Sequence, residues 1–148
     1  MKLLFLTFCL SCSVAFGQIS IEELISVSKL DSEAFEIYAM KKGFNFHSLD
    51  NDENSEGIVM QQFFSETAIT RYIIWHSRYF TDRYHSNYQT SQTNELQKMY
   101  QDLGSLGFKL SSRFESNDDY QKTYSRGKEV VSFFIKPNWI EVGYSMSE

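Results

Sequence analysis

Two glycines, each placed between a helical pattern and a run of alternating residues, constrain the fold more than any other feature of the chain. Up to Gly43 the apolar residues recur with the 3.6-residue period of a helix, whereas Phe44 and Phe46 follow the two-residue period of a strand and are expected to point inward. The same change recurs at Gly107, before Phe108. Glycine commonly ends a helix because it adopts the left-handed conformation without steric cost. The sequence therefore predicts two units in which a helix leads into strands.

The order of predicted elements also repeats along the chain. Gly43-Phe44-x-Phe46-x-Ser48 matches Gly107-Phe108-x-Leu110-x-Ser112, 64 positions later, and acidic residues followed by strand-like runs come after each motif. We interpret residues 18–90 and 91–148 as a tandem repeat of a helix plus four antiparallel strands within a single domain at 18–148. The predicted fold class is α+β, with an antiparallel sheet and the helices on one face.

Capping signals and periodicity set the predicted boundaries. Ser20 and Glu23 have the spacing of a capping box, and Asp31 is a second N-cap, so helices are expected over about 21–28 and 32–42. A third helix begins near Thr93 and ends at Gly104 or Gly107. Strands are expected over about 44–49, 58–64, 68–80, 83–90, 108–113, 120–124, 130–135 and 139–146, with an acidic turn at 50–57.

The first 17 residues have the three parts of a cleaved export signal. Lys2 supplies the positive charge, residues 3–10 form a short apolar run, and Ala15 and Gly17 occupy the small-residue positions of a cleavage site. The run is too short to span a bilayer, which takes about 20 residues. The sequence thus predicts an exported protein, periplasmic or secreted. The alternative is a lipoprotein anchored at Cys12.

Composition narrows the possible partners. Both cysteines, Cys9 and Cys12, lie in the predicted signal, so the remaining domain folds without disulfides. The formal net charge of −5 argues against a nucleic-acid partner, because such binding needs a cationic surface. No later segment has the length and apolar character of a transmembrane helix.

Two resemblances follow from these patterns. The Ala15-x-Gly17 junction followed by Gln18 is similar to that of small envelope and secreted proteins of Gram-negative bacteria. The order of elements resembles the β-lactamase-inhibitor-protein-like modules, which repeat a helical element and a four-stranded sheet. That second resemblance implies partner binding on a concave sheet face. It covers both halves by element order only, and it carries over neither binding residues nor inhibitor activity.

Motifs for catalysis, metals and cofactors are weak. Asp50, Asp52 and Asn54 begin like a calcium loop, but Ser55 and Gln61 stand where glycine and the bidentate glutamate belong. The three histidines, His47, His76 and His85, lack metal-ligand spacing. No nucleophile elbow, phosphate-binding loop or dinucleotide fingerprint is present. We therefore predict no catalytic residue, no metal site and no cofactor.

The segment from Arg71 to His85 is the most unusual in this acidic chain, since it combines three arginines and two histidines with five aromatic residues. Arginine, tyrosine and tryptophan are the residues that dominate binding hot spots. Either the segment is a recognition strip, or it is a central strand packed on both sides. The candidate ligand- or partner-binding residues are Arg71, Trp75, His76, Arg78, Tyr79, Arg83, His85 and Trp139.

The predicted function is that of an exported, non-enzymatic binding domain that recognises an unknown protein or glycan through an aromatic and arginine-rich sheet face. One alternative is a small hydrolase that uses carboxylates with His76 or His85. A second alternative is a structural or assembly subunit that associates through an unpaired sheet edge.

Overall fold

The structure is a computed structural model that describes residues 18–52, 58–67, 70–79, 83–116 and 119–147. Three helices are present in this part of the chain: α1 (Ile21–Val27), α2 (Ser32–Lys41) and α3 (Thr93–Ser105). The predicted caps are confirmed. The Ser20 hydroxyl accepts a hydrogen bond from the Glu23 amide, whose side chain accepts one from the Ser20 amide, and the Asp31 carboxylate accepts one from the Ala34 amide.

The described residues contain eight antiparallel strands, in the chain order that the sequence predicts. The strands are β1 (Asn45–Asp52), β2 (Ile58–Thr67), β3 (Thr70–Tyr79), β4 (Arg83–Thr90), β5 (Lys109–Ser116), β6 (Asp119–Arg126), β7 (Glu129–Lys136) and β8 (Trp139–Ser147). They form one sheet with the spatial order β1-β2-β3-β4-β8-β7-β6-β5. Two four-stranded meanders therefore meet where β4 pairs with β8, and β1 and β5 lie at the edges.

The two glycines end their helices in the same way. Gly43 and Gly107 have φ values of 84° and 80°, the left-handed region that favours glycine. The next amides then turn back, so that Phe44 N donates to the Ala39 carbonyl and Phe108 N to the Leu103 carbonyl, each at 3.0 Å. A bulge follows in each edge strand, between Phe46 and Ser48 in β1 and between Leu110 and Ser112 in β5.

All three helices cover the same face of the sheet. From α1, the Leu24 carbonyl accepts a hydrogen bond from the Ser86 hydroxyl of β4 at 2.8 Å. From α2, Phe35 packs edge-on against Phe63 of β2 with ring centroids 5.6 Å apart. From α3, Tyr100 packs against Phe133 of β7 at 4.9 Å. The α+β class and the placement of the helices on one face of an antiparallel sheet are thus confirmed.

The buried core lies between this sheet face and the helices. Its largest fully buried side chains are Tyr88, Tyr144, Phe35, Phe44, Phe63 and Phe133. Each tyrosine hydroxyl donates to a carboxylate, Tyr88 to Glu95 at 2.7 Å and Tyr144 to Glu129 at 2.8 Å. Aromatic packing of this kind provides the stability that the chain after residue 17 cannot draw from disulfides.

Two local predictions need correction. The alternation predicts that Phe46 points inward beside Phe44; it lies on the inward side of the sheet but is not buried, since it is 53% exposed. It contacts Phe63 on the helix side of the sheet, and it remains exposed because β1 is an edge strand. The acidic turn is predicted from residue 50, but β1 continues to Asp52. The other residues of that turn, 53–57, lie outside the described residues. That the two halves form a tandem sequence repeat stays a prediction.

Candidate functional site

One face of the sheet carries none of the described helices. In β8, Ile140, Val142 and Tyr144 are buried against the helices, and the residues between them belong to the opposite side of the strand. Residues that are paired in neighbouring strands lie on the same face, so the register assigns the residues of the other strands to one face or the other. We call the opposite side, which carries Glu141 and Gly143, the open face.

A row of small and polar residues crosses the middle of the open face. Each member is paired with the next in the register of the strands. From β1 to β5 the row consists of Ser48, Gln62, Trp75, Asn87, Gly143, Ser132, Thr123 and Ser112. The hydroxyls of Thr123 and Ser132 lie within hydrogen-bond distance at 3.3 Å. Seven of the eight positions thus have no large apolar side chain, unlike the opposite face.

Asn87 and Gly143 pair at the centre of this row, where the two halves of the sheet meet. A Cβ atom at position 143 would lie 2.8 Å from Asn87 Oδ1, so glycine leaves the space that the amide occupies. Asn87 is consequently buried although it lies on the open face. Burial lowers the pKa of the neighbouring His85, and a hydrogen bond with Asn87 opposes that effect. These residues form a packed polar centre.

The adjacent row combines polar groups with apolar side chains. From β1 to β5 it consists of Asn45, Phe64, Ile73, Gln89, Glu141, Phe134, Gln121 and Phe114, again paired from strand to strand. Phe134 is 37% exposed and Phe114 is 59% exposed. Glu141 is partly buried, and this burial raises the pKa of its carboxyl group. The part of the row between β8 and β5 therefore presents two phenyl rings and a partly desolvated acid on one surface.

Trp139 extends this surface toward the β7–β8 turn. It is half-buried, and it lies on the same side of β8 as Glu141. Its register partner on β7 is Lys136, whose ammonium forms an ion pair with Asp119 of β6. The aromatic ring is thus flanked by a lysine that already has an acidic partner.

The register divides the predicted site residues between the two faces. Of the eight, His85 and Trp139 have side chains that the structure describes, and both lie on the open face. The others are assigned by their backbone positions alone. Arg71, Trp75, Tyr79 and Arg83 occupy open-face positions, whereas His76 and Arg78 occupy positions on the helix-covered face. The side chains of these six residues lie outside the described part, and their roles stay predictions.

The sequence analysis did not identify three central members of the open face. Asn87, Glu141 and Phe134 come from β4, β8 and β7, and the register brings them into neighbouring rows. Each has an ordinary strand context, so no local motif marks it. A signal existed in the alternation of β8, in which Trp139 and Glu141 occupy the side opposite Ile140.

The acid–base groups of the open face do not form a pair. His85 is paired with Ser145, whereas Glu141 lies four residues earlier on β8. Four residues of strand separate two side chains by about 14 Å, which is beyond hydrogen-bond reach. Among the described residues, no group of three or more His, Cys, Asp or Glu side chains could hold a metal ion. His85 and Glu141 are therefore too far apart for direct proton transfer between them.

Comparison with known proteins gave no match to a family model, to a curated protein or to a solved structure. The resemblance to β-lactamase-inhibitor-protein-like modules therefore stays a prediction. No helix in the described part of the chain combines the length and the apolar character that crossing a membrane requires.

Proposed function

We propose that this chain is an exported binding module that recognises a protein partner through the open face of its sheet. The observation that supports the proposal most directly is the asymmetry of the sheet. One face is sealed by three helices over an aromatic core, while the other presents Phe134, Trp139 and Glu141 without a described helix over them. The solvated face of an antiparallel sheet is ordinarily polar, so the rings of Phe134 and Trp139 on this face support a role in contact with a partner.

The dimensions of the open face favour a protein over a glycan. Eight strands at a spacing of about 4.8 Å give a width of about 34 Å, and eight residues of strand give a length of about 27 Å. The resulting area of about 900 Å² is close to the roughly 800 Å² that each partner contributes to a standard protein interface. Of the two predicted ligand classes, protein and glycan, we therefore propose a protein.

The chemistry of the face supports specific recognition. Glu141 is partly desolvated, and its register neighbours Gln89 and Phe134 supply no positive charge. A carboxylate in such a place lowers stability unless a donor reaches it. An arginine or lysine of the partner, seated between Phe134 and Trp139, would satisfy this acid and stack on aromatic surface. Export and a periplasmic or secreted location, predicted from residues 1–17, are part of the same proposal.

Site-specific photocrosslinking in the cell that makes the protein would test this function. A benzophenone amino acid replaces Phe134 on the open face, and the same group replaces Met40, which is 62% exposed on α2, as a matched control. We expect one discrete protein adduct from position 134 and none from position 40. Adding Glu141→Lys to the position-134 protein should abolish the adduct while the far-ultraviolet circular dichroism is unchanged.

Three results would contradict the proposal. The first is the absence of a discrete adduct at position 134. The second is the same set of adducts from both positions, which indicates unspecific contact. The third is an adduct that glycosidases remove and proteases do not shift, which would establish the glycan reading instead.

A further inference from the structure

The outer edge of β5 is one of the two edges of the sheet that the structure describes. All eight residues of the strand, Lys109–Ser116, are exposed. One side of β5 pairs with β6, and no described strand pairs with the other side. Unpaired backbone donors and acceptors on such an edge are a template for another strand. A bulge shields the first part of β5, between Leu110 and Ser112, but the strand is regular from Ser112 onward.

The regular segment has a nearly palindromic sequence. It reads Ser112, Arg113, Phe114, Glu115 and Ser116. Pairing with β6 assigns Phe114 to the open face, opposite Gln121, and Glu115 to the helix-covered side, opposite Tyr120. Arg113 lies on the same side as Glu115 and donates a hydrogen bond to it at 2.9 Å. Both charged side chains are more than half exposed, at 58% and 66%.

We propose that two copies of this chain associate by antiparallel pairing of their β5 strands about a twofold axis at Phe114. Residues directly opposite in an antiparallel pair lie on the same face of a sheet. This register sets Phe114 against Phe114 of the second copy, and Arg113 against Glu115 of the second copy. Because the axis repeats every contact, two Arg–Glu pairs flank one central Phe–Phe contact.

The charges of Arg113 and Glu115 favour a second copy of this chain as the partner of the β5 edge. A strand opposite this edge must place an acid against Arg113 and a base against Glu115, and the chain's own β5 does both at once. The 59% exposed ring of Phe114 would be covered by its symmetry mate. The result is one continuous sheet in which the helices of both copies lie on the same side, and the two open faces join. The interface lies at the outer end of the row that contains Glu141, three strands away from that residue.

The other edge of the sheet does not have this complementarity. The corresponding segment after the bulge of β1 reads Ser48, Leu49, Asp50, Asn51 and Asp52. Self-pairing about its centre would set Asp50 against Asp50 of the second copy, and no opposite charges would face each other. Like charges directly opposite in a sheet are destabilising. The association is therefore specific to β5 and closes as a dimer instead of continuing as a fibre.

Charge-reversal variants test this register. The protein is expressed from its full 148-residue chain, its mass is recorded, and sedimentation equilibrium is measured over a concentration series. We expect the wild type to dimerise reversibly. Arg113→Glu and Glu115→Arg should each weaken dimerisation by about tenfold or more, since each replaces two opposite-charge pairs by two like-charge pairs. The double variant Arg113→Glu/Glu115→Arg should restore it.

Mixing the two single variants separates contacts between copies from the contact within one strand. Each variant alone has like charges within β5 and across the axis. In a mixed dimer, the copy with two acidic side chains at positions 113 and 115 faces a copy with two basic side chains at those positions. We therefore expect a heterodimer from two poorly associating proteins. Lys128→Glu, in the exposed β6–β7 turn, makes the same change of net charge as Arg113→Glu and should leave dimerisation unaltered.

The proposal is overturned by a wild type that stays monomeric up to about 1 mM. It is also overturned if the mixture remains monomeric while both variants are folded by circular dichroism, or if Lys128→Glu weakens the dimer as much as Arg113→Glu.

Discussion

The two four-stranded halves use the same backbone plan but satisfy their buried groups differently. The pairing sequence Phe46, Phe63, Ile74, Tyr88 in the first half corresponds to Leu110, Tyr124, Val131, Tyr144 in the second. Tyr88 and Tyr144 thus occupy matching positions, and both are fully buried. The carboxylate that accepts from Tyr88 comes from α3, whereas the one that accepts from Tyr144 comes from β7. Sheet geometry fixes where a buried hydroxyl lies, and any nearby element can supply its acceptor.

The halves diverge most at their outer edges. At matching places after the bulge, β1 has Leu49 and β5 has Arg113. The first half also exposes Ile37 and Met40 on α2, beside the edge that carries Leu49. Core positions are constrained by packing from all sides, whereas edge positions face solvent and are free to specialise. The proposed dimerisation through β5 depends on one of these differences between the two edges.

The largest expected effect compares the two phenylalanines that follow the helix-ending glycines. Phe44→Ala and Phe108→Ala each remove a buried ring, and each should lower the free energy of unfolding by about 3–5 kcal/mol. Urea denaturation followed by tryptophan fluorescence and circular dichroism would measure both. Because both halves share one sheet, we expect a single transition for each variant. A biphasic curve for either variant would show that the halves unfold separately.

Removing the hydroxyl group of either buried tyrosine should lower the free energy of unfolding by a smaller amount, and the two losses should differ. Tyr88→Phe removes a hydrogen bond between two buried side chains, since Glu95 is only 5% exposed, and should cost about 2 kcal/mol. Tyr144→Phe should cost about 1 kcal/mol, because Glu129 keeps its ion pair with Arg126 at 2.7 Å. Chemical denaturation at neutral pH would measure the difference. Equal losses, or a larger loss from Tyr144→Phe, would contradict the assignment of Arg126 as a compensating partner.

Replacing either helix-ending glycine by alanine should lower the stability of the protein by a similar amount. Gly43→Ala and Gly107→Ala place a side chain at φ values of 84° and 80°, which costs about 1 kcal/mol each. Gly104→Ala is the matched control within α3, where an added Cβ meets no atom within 4 Å. It should stabilise the protein by up to about 1 kcal/mol, because alanine favours the helix. Thermal melts of the three variants would test the opposite signs, and a neutral Gly107→Ala would rule out the strain argument.

Local patterns predicted the elements because helix caps, glycine stops and strand alternation are decided within a few residues. Ser20, Asp31 and Gly107 each act on the turn in which they stand, and the sequence located all three. The pairing of strands within each half was also predictable, since each meander pairs strands that are neighbours in sequence. The exposure of Phe46 could not be predicted, because it depends on how far the helices extend over an edge strand.

The candidate site was the least predictable part, since its rows run across strands that are distant in sequence. Asn87 and Gly143 meet only through the β4–β8 pairing, and neither has a local signature of function. The Arg71–His85 segment is unusual in composition, yet the register assigns His76 and Arg78 to the face opposite His85. Composition identifies an unusual strand, but the alternation of faces decides which of its residues can act together.

The smallest expected effect concerns the open face, where His85 and Glu141 occupy matching positions of the two halves. Burial lowers the pKa of His85 below its usual 6.5 and raises the pKa of Glu141 above its usual 4.5. The folded state therefore favours the neutral form of each. For His85, stability should fall as pH decreases from 6.5 through the lowered folded pKa, because the unfolded chain takes up the proton first. For Glu141, stability should rise as pH decreases through the raised folded pKa toward 4.5.

Substituting each residue by glutamine separates the two opposite dependences of stability on pH. Glu141→Gln should increase stability at pH 7 by less than about 1 kcal/mol, since the carboxylate remains partly solvated. His85→Gln should remove part of the decline below pH 6.5. Urea denaturation of both variants from about pH 7 to pH 4.5 would measure the slopes. If Glu141→Gln destabilised the protein at neutral pH, the carboxylate would be serving the fold, and its assignment to partner recognition on the open face would have to be abandoned.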